Sequence, residues 1–306
     1  MNASGLNISE YFSDGNSPQK LLRRQVNSQW NDVTVVFEKK PVFRFPGGQR
    51  QMHQNAVSLW GTSNFRRNSP LNYIGEFIEH CKLNNADVCF VVNINDEMQY
   101  GEDNSIQTIQ ALKLIKDAGL FIRLIEFGNE IYMNPTITGT GRFKAGLLYN
   151  LMAKKPNIQA ASDYVNRALY YKNLILANGI VNNFAFCMAQ DLNQAFKDWN
   201  DTVMGANIQD IGYALHLYPE KWDISKANIE KQLSAHFRRF EGKQVYFTEL
   251  ALQNGSTGMA YIKGYDCKKF WATFEPVLRS KFGNDVMTIL WRMGSIKPNS
   301  YDFYKI

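Results

Sequence analysis

Cysteine, histidine and proline are scarce in this chain of 306 residues, with four, four and nine copies. The cysteines (Cys81, Cys89, Cys187, Cys267) include no CxxC pair, which argues against a zinc ribbon and a disulfide framework. Cys89 and Cys187 lie in apolar runs and read as small core residues. No two histidines fall at HxxxH spacing, so no built-in metal site is expected. No run of eighteen apolar residues occurs, which removes a membrane-spanning helix and, with it, a membrane partner. The first residues, from Met1 to Ser9, lack the basic and apolar regions of a secretory leader. That leaves the compartment open between a cytoplasmic or phage-encoded protein and a secreted one whose leader has been removed. Linkers, low-complexity tracts and repeats are also missing, so residues 1–306 are expected to form a single domain.

Charge is present but diffuse. The net charge of +6 comes partly from pairs, such as Arg23-Arg24, Arg66-Arg67, Lys154-Lys155 and Arg238-Arg239, and not from one block. Nucleic-acid binding wants a continuous basic stripe, so that partner is not expected. With 45% hydrophobic residues the chain can bury a full core.

Short apolar runs alternate with longer stretches of helical period, the rhythm of a parallel α/β fold. Eight strands are predicted: Gly5–Ser9, Val42–Pro46, Asp87–Ile94, Phe121–Phe127, Asn183–Ala189, Asp210–Leu217, Val245–Leu250 and Met287–Met293. Helical patterning covers Ser105–Gly119, Ala161–Gly179, Lys226–Phe240 and Gly264–Phe282. In the first of these, Ile106, Ile109, Leu112 and Ile115 make one stripe, Ser105 the expected N-cap and Gly119 the stop. Eight strands with helices between them predict a closed (β/α)8 TIM barrel. The long stretch Met133–Asn157 should overhang the face where such barrels keep their chemistry.

Two of the predicted strands end in a glutamate: Ile122 to Phe127 runs into Gly128-Asn129-Glu130, and Val245 to Thr248 runs into Glu249. Carboxyl groups at the carboxyl ends of two barrel strands are the minimum equipment of glycoside hydrolysis. One carboxylate attacks the anomeric carbon while one carboxylic acid protonates the leaving oxygen, and a retaining enzyme holds them about 5–5.5 Å apart.

These segments resemble the clan A glycoside hydrolases, retaining TIM-barrel enzymes. Glu126-Phe127-Gly128-Asn129-Glu130 resembles the strand-four acid/base signature and Thr248-Glu249-Leu250 the strand-seven nucleophile site. Arg44-Phe45-Pro46-Gly47-Gly48 resembles the strand-two end of agarase-like and arabinofuranosidase-like members. His216-Leu217-Tyr218-Pro219 resembles their strand-six end, and Trp291 falls at the strand-eight platform position.

The resemblance implies Glu130 as acid/base and Glu249 as nucleophile, with Arg44 and Tyr218 donating to the latter. It also implies Asn129 on the sugar 2-hydroxyl, His216 near the reacting groups and Trp291 stacking on the sugar. Glu126 is expected to pair inside the barrel with Arg44 or Arg123. Asn93 and Asn95 are candidate sugar donors, and Tyr100, Tyr132, Trp199 and Trp222 candidate cleft aromatics. The implied enzyme needs no cofactor, acts as a monomer, and takes a polysaccharide or oligosaccharide of anionic or galactan type, with xylan, mannan and β-glucan open. The alternative reading is a glycan-binding barrel that has lost catalysis and serves as a recognition component.

Overall fold

The computed structural model describes residues 5–7, 40–45, 74–92, 94, 104–132, 136–137, 143–144, 158–217, 225–252 and 267–293. Eight parallel strands close into one barrel: β1 (Gly5–Asn7), β2 (Val42–Phe45), β3 (Asp87–Val92), β4 (Ile122–Phe127), β5 (Phe184–Met188), β6 (Ile211–Leu217), β7 (Val245–Leu252) and β8 (Met287–Met293). β1 closes the ring by pairing with both β8 and β2. Among the described residues the α-helices are α1 (Ile74–Leu83), α2 (Asn104–Asp117), α3 (Ile158–Ala177), α4 (Gln194–Gly205), α5 (Lys226–Phe237) and α6 (Cys267–Phe282). This is the predicted (β/α)8 fold, with every predicted strand present.

The details correct some expectations. Asn104 already belongs to α2, so Ser105 stands inside the helix and not at its cap. Ile106 is 57% exposed, whereas Ile109, Leu112 and Ile115 are buried; the buried face passes through Ser105 and Thr108 and not through Ile106. The stretch after β4 holds a two-residue antiparallel ribbon, Thr136–Ile137 against Phe143–Lys144.

Apolar burial forms two layers. The larger lies between strands and helices and includes Phe43, Phe90, Phe127, Tyr164, Trp199 and Phe247. The smaller lines the barrel axis: Val42, Cys89, Leu124, Ala185, Ala214, Tyr246 and Ile289. Successive strand side chains alternate between faces. Two residues beyond Val42, Leu124 and Ala214 come Arg44, Glu126 and His216, all at most 2% exposed. The sequence therefore stacks a polar layer directly on the apolar one.

Candidate active site

β7 does not keep this alternation. Two residues beyond the inward Tyr246 is Thr248, yet it is Glu249 that joins the polar layer. Leu215 pairs with Phe247 while His216 pairs with Glu249, so β7 carries one extra residue against β6. The same slip appears toward β8, where Thr288 pairs with Phe247 and Leu290 with Leu250. A bulge of one residue exchanges the two faces of a strand. Here it turns Glu249 into the barrel.

Glu130 arrives differently. After β4, Gly128 takes φ 87° and Glu130 takes φ 51°, both left-handed. A Cβ at Gly128 would collide with the Ile131 side chain, so only glycine fits that corner. Glu130 bears the left-handed strain itself, a cost of order 1 kcal/mol that clusters at functional sites. The corner is braced from α3: the Tyr164 hydroxyl donates to the Phe127 carbonyl at 2.8 Å and accepts from the Cys187 amide at 2.7 Å.

Arg44 organises what the two turns deliver. Its guanidinium donates to Glu126 at 2.8 Å, to Glu249 at 3.1 Å and to Asn129 Oδ1 at 2.8 Å. Burial opposes its charge, but Glu126 and Glu249 overcome that and lift its pKa well above the ordinary value. Glu126 shows the same balance inverted. Burial pushes its pKa up, while Arg44 and His216 pull it down to about 2. Arg123 instead binds Asp87 at 2.6 Å, so Arg44 is the partner of Glu126.

His216 sits at the centre. Its Nδ1 lies 3.4 Å from Glu130 and 3.6 Å from Glu249, and its Nε2 lies 3.5 Å from Glu126 and 3.4 Å from Arg44. Burial lowers its pKa, but Glu249, Glu126 and Glu130 more than compensate and raise it to about 9. The Gln190 side chain holds the His216 carbonyl at 3.0 Å.

The structure thus gathers Glu130, Glu249, Asn129, Arg44 and His216 around one point, with Glu126 beneath. Tyr218 lies outside the described residues, as do Asn93, Asn95, Tyr100 and Trp222. Trp291 is the extra residue of a second bulge, between Leu290–Leu250 and Arg292–Ala251, but its side chain is not among those described. Trp199 corrects an expectation: it is fully buried, donates to the Cys187 carbonyl at 3.3 Å and packs on Tyr164, so it lines no cleft. Tyr132 is also buried, edge-on to Phe196. Burial, then the charges of Glu130, Glu249 and Glu126, raises its pKa, so its phenol stays protonated.

Two braces escaped sequence reasoning. Gln190 could have been found as a polar residue just beyond an apolar strand, but nothing local marks Tyr164.

No family model matches the chain, and no curated protein matches it. Solved structures do. The GH53 catalytic domain of Ignisphaera aggregans superposes with a TM-score of 0.50 at 13% identity, covering 94% of this chain and 83% of that one. A psychrophilic glycoside hydrolase family 10 endo-β-1,4-xylanase superposes with a TM-score of 0.54 at 10% identity, covering 97% of this chain and 87% of the other. At such identities the likeness establishes the shared TIM-barrel fold.

Proposed function

We propose that the chain is a retaining glycoside hydrolase that cleaves a polysaccharide or oligosaccharide by double displacement. Glu249 is the nucleophile and Glu130 the acid/base. One observation carries this reading: oxygens of both glutamates lie within 3.6 Å of a single atom, His216 Nδ1. Those two legs cap the separation of these two oxygens at about 7 Å, which is compatible with the 5–5.5 Å of a retaining pair.

In the first half-reaction a Glu249 oxygen attacks the anomeric carbon as the glycosidic C–O bond breaks, and Glu130 gives its proton to the leaving oxygen. In the second, water attacks the same carbon, Glu130 takes a water proton, and the bond to Glu249 breaks. Arg44 keeps Glu249 ionised for attack through the 3.1 Å hydrogen bond. Asn129, fixed through Oδ1 by Arg44, has its amide group for the sugar 2-hydroxyl. Tyr218 and Trp291 complete the reading as donor and stacking platform. The reaction needs no cofactor, and the protein acts as a monomer.

Reducing-sugar release from galactans, anionic glycans, xylan, mannan and β-glucan tests this. Wild type should degrade at least one glycan. Glu249→Ala and Glu130→Ala should each abolish release, and azide should rescue Glu249→Ala with inverted product stereochemistry. Hydrolysis that survives Glu249→Ala would sink the assignment. Tight glycan binding by wild type without any hydrolysis would favour a recognition barrel instead.

A further inference from the structure

Strand β4 stops pairing with β5 where the chain turns toward Glu130, and the stop is made by side chains from outside the sheet. In a parallel pair, alternate residues of one strand direct both backbone groups at the other. The Ile125 N–H donates to the Asn183 carbonyl at 2.9 Å, and the register continues through Glu126–Ala185 to Phe127–Phe186. That register makes Cys187 N–H to the Phe127 carbonyl the last rung, and would make Asn129 N–H to the Cys187 carbonyl the next. Side chains stand at both rungs. The Tyr164 hydroxyl, from α3, accepts from the Cys187 N–H at 2.7 Å and donates to the Phe127 carbonyl at 2.8 Å. The Trp199 indole, from α4, donates to the Cys187 carbonyl at 3.3 Å.

Phe127, Tyr164, Cys187 and Trp199 are all fully buried. An unmatched N–H or C=O out of water is costly, so a buried strand end ordinarily keeps pairing. Here the two aromatic side chains satisfy those groups, and the chain can leave the sheet at Gly128. The Tyr164 and Trp199 rings pack on each other at 5.1 Å, and Tyr164 lies edge-on to Phe186 at 5.8 Å, which fixes the polar atoms in place. Burial raises the Tyr164 pKa well above its ordinary value, so the hydroxyl keeps the proton it donates. The Cys187 thiol, kept protonated chiefly by burial, faces the backbone amides of Ile131 and Glu130. The residue that the aromatic pair grips therefore also supports the left-handed turn.

We propose that Tyr164 and Trp199 are positioning residues: they fill the last two rungs between β4 and β5, stop the ladder at Phe127, and so hold Glu130 in its turn beside His216. The catalytic part of this inference rests on the glycosidase reading above. Both residues act through Glu130. Without the hydroxyl, the last rung can close as one direct bond from the Cys187 N–H to the Phe127 carbonyl. The turn that begins one residue later is then drawn toward the sheet, and Glu130 leaves its 3.4 Å approach to His216 Nδ1.

The test is the crystal structure and the kinetics of Tyr164→Phe, which keeps the ring and removes only the hydroxyl. The Cys187 N–H should bond the Phe127 carbonyl directly at about 2.9 Å. The Glu130 carboxyl should move away from His216 by about 1 Å or more. On the glycan of the panel above that wild type degrades, kcat should fall roughly a hundredfold with little change in KM, the cost of misplacing a reacting group by that distance. Trp199→Phe removes the other donor and is the second route; it should shift the same turn and lower kcat in the same sense.

Either variant with Glu130 in its wild-type place and kcat unchanged would overturn the proposal. Those are the marks of packing alone, which would lower only the melting temperature. The two variant structures need no substrate. A displaced Glu130 in a protein whose wild type hydrolyses nothing would fault the glycosidase reading and leave the clamp standing. Glu249-dependent hydrolysis undisturbed in Tyr164→Phe would fault this inference alone.

Discussion

Glu249 and Glu130 reach the same imidazole from strands three places apart around the barrel, and the backbone delivers them in unlike ways. A β-bulge turns Glu249 inward, and Arg44 and His216 then hold it. A glycine corner throws Glu130 into a left-handed conformation, and its side chain is 12% exposed against 3% for Glu249. One carboxylate is braced and buried; the other is strained and somewhat more exposed. Different duties suit those settings. A nucleophile benefits from fixed donors that keep it ionised. An acid/base must exchange protons with a leaving group and then with water, which suits a carboxyl that Arg44 does not bind.

The comparison breaks hardest at Arg44, because the braced side depends on it. Arg44→Met should cost about 3–5 kcal/mol of stability, the usual penalty for removing one partner from a buried ion pair. Chemical denaturation would read the loss. Surface pairs give the contrast: removing Lys226, 3.8 Å from Glu230 on an exposed helix face, should be nearly silent. An Arg44→Met protein as stable as wild type would mean that the cluster is not held by charge.

Changing pH tests the same bracing more gently. Glu126 has a folded pKa of about 2 against an ordinary 4.5, so its stabilisation is complete above 4.5 and lost as pH falls toward 2. His216 has a folded pKa of about 9 against 6.5, so its stabilisation is complete below 6.5 and lost as pH rises toward 9. Stability should therefore peak between pH 4.5 and 6.5 and decline on both sides. The alkaline decline should be on the order of 2 kcal/mol and should flatten in His216→Gln. A stability profile rising from pH 6.5 to 9 would contradict the charged cluster.

Sequence made the barrel legible because strand burial on two faces is a local signal. The run Val88–Val92 is wholly apolar and Ile122–Ile125 largely so, and the sheet buries both almost completely. The catalytic candidates were legible as polar residues breaking such runs at their ends. The bulge at Thr248 was not. Val245 to Leu250 reads as an unbroken strand, and the extra residue is visible only against the registers of β6 and β8. Strict alternation from Tyr246 would have aimed Thr248 at the site and Glu249 away from it. Tyr164 was hidden for a related reason: its two hydrogen bonds join α3 to residues 37 and 23 positions away. Trp199 misled because tryptophan suits a sugar platform and a core equally, and only its bond to the Cys187 carbonyl decides.

The smallest effect belongs to the strained side. Glu130→Gly should abolish hydrolysis yet leave stability within about 0.5 kcal/mol of wild type, because two opposing contributions nearly cancel. Releasing a left-handed residue at φ 51° returns on the order of 1 kcal/mol. Glycine costs a similar amount through the greater freedom of the unfolded chain. Little else is lost, since the described contact of the Glu130 side chain is one 3.4 Å approach to His216. Glu249→Gly has no such relief: it removes a carboxylate bound to Arg44 and leaves that guanidinium short of a partner. The two glycine variants should therefore be equally inactive but unequal in melting temperature, with Glu249→Gly the lower. Equal melting temperatures would mean that the left-handed turn stores no strain, and the division between a braced Glu249 and a strained Glu130 would fall with it.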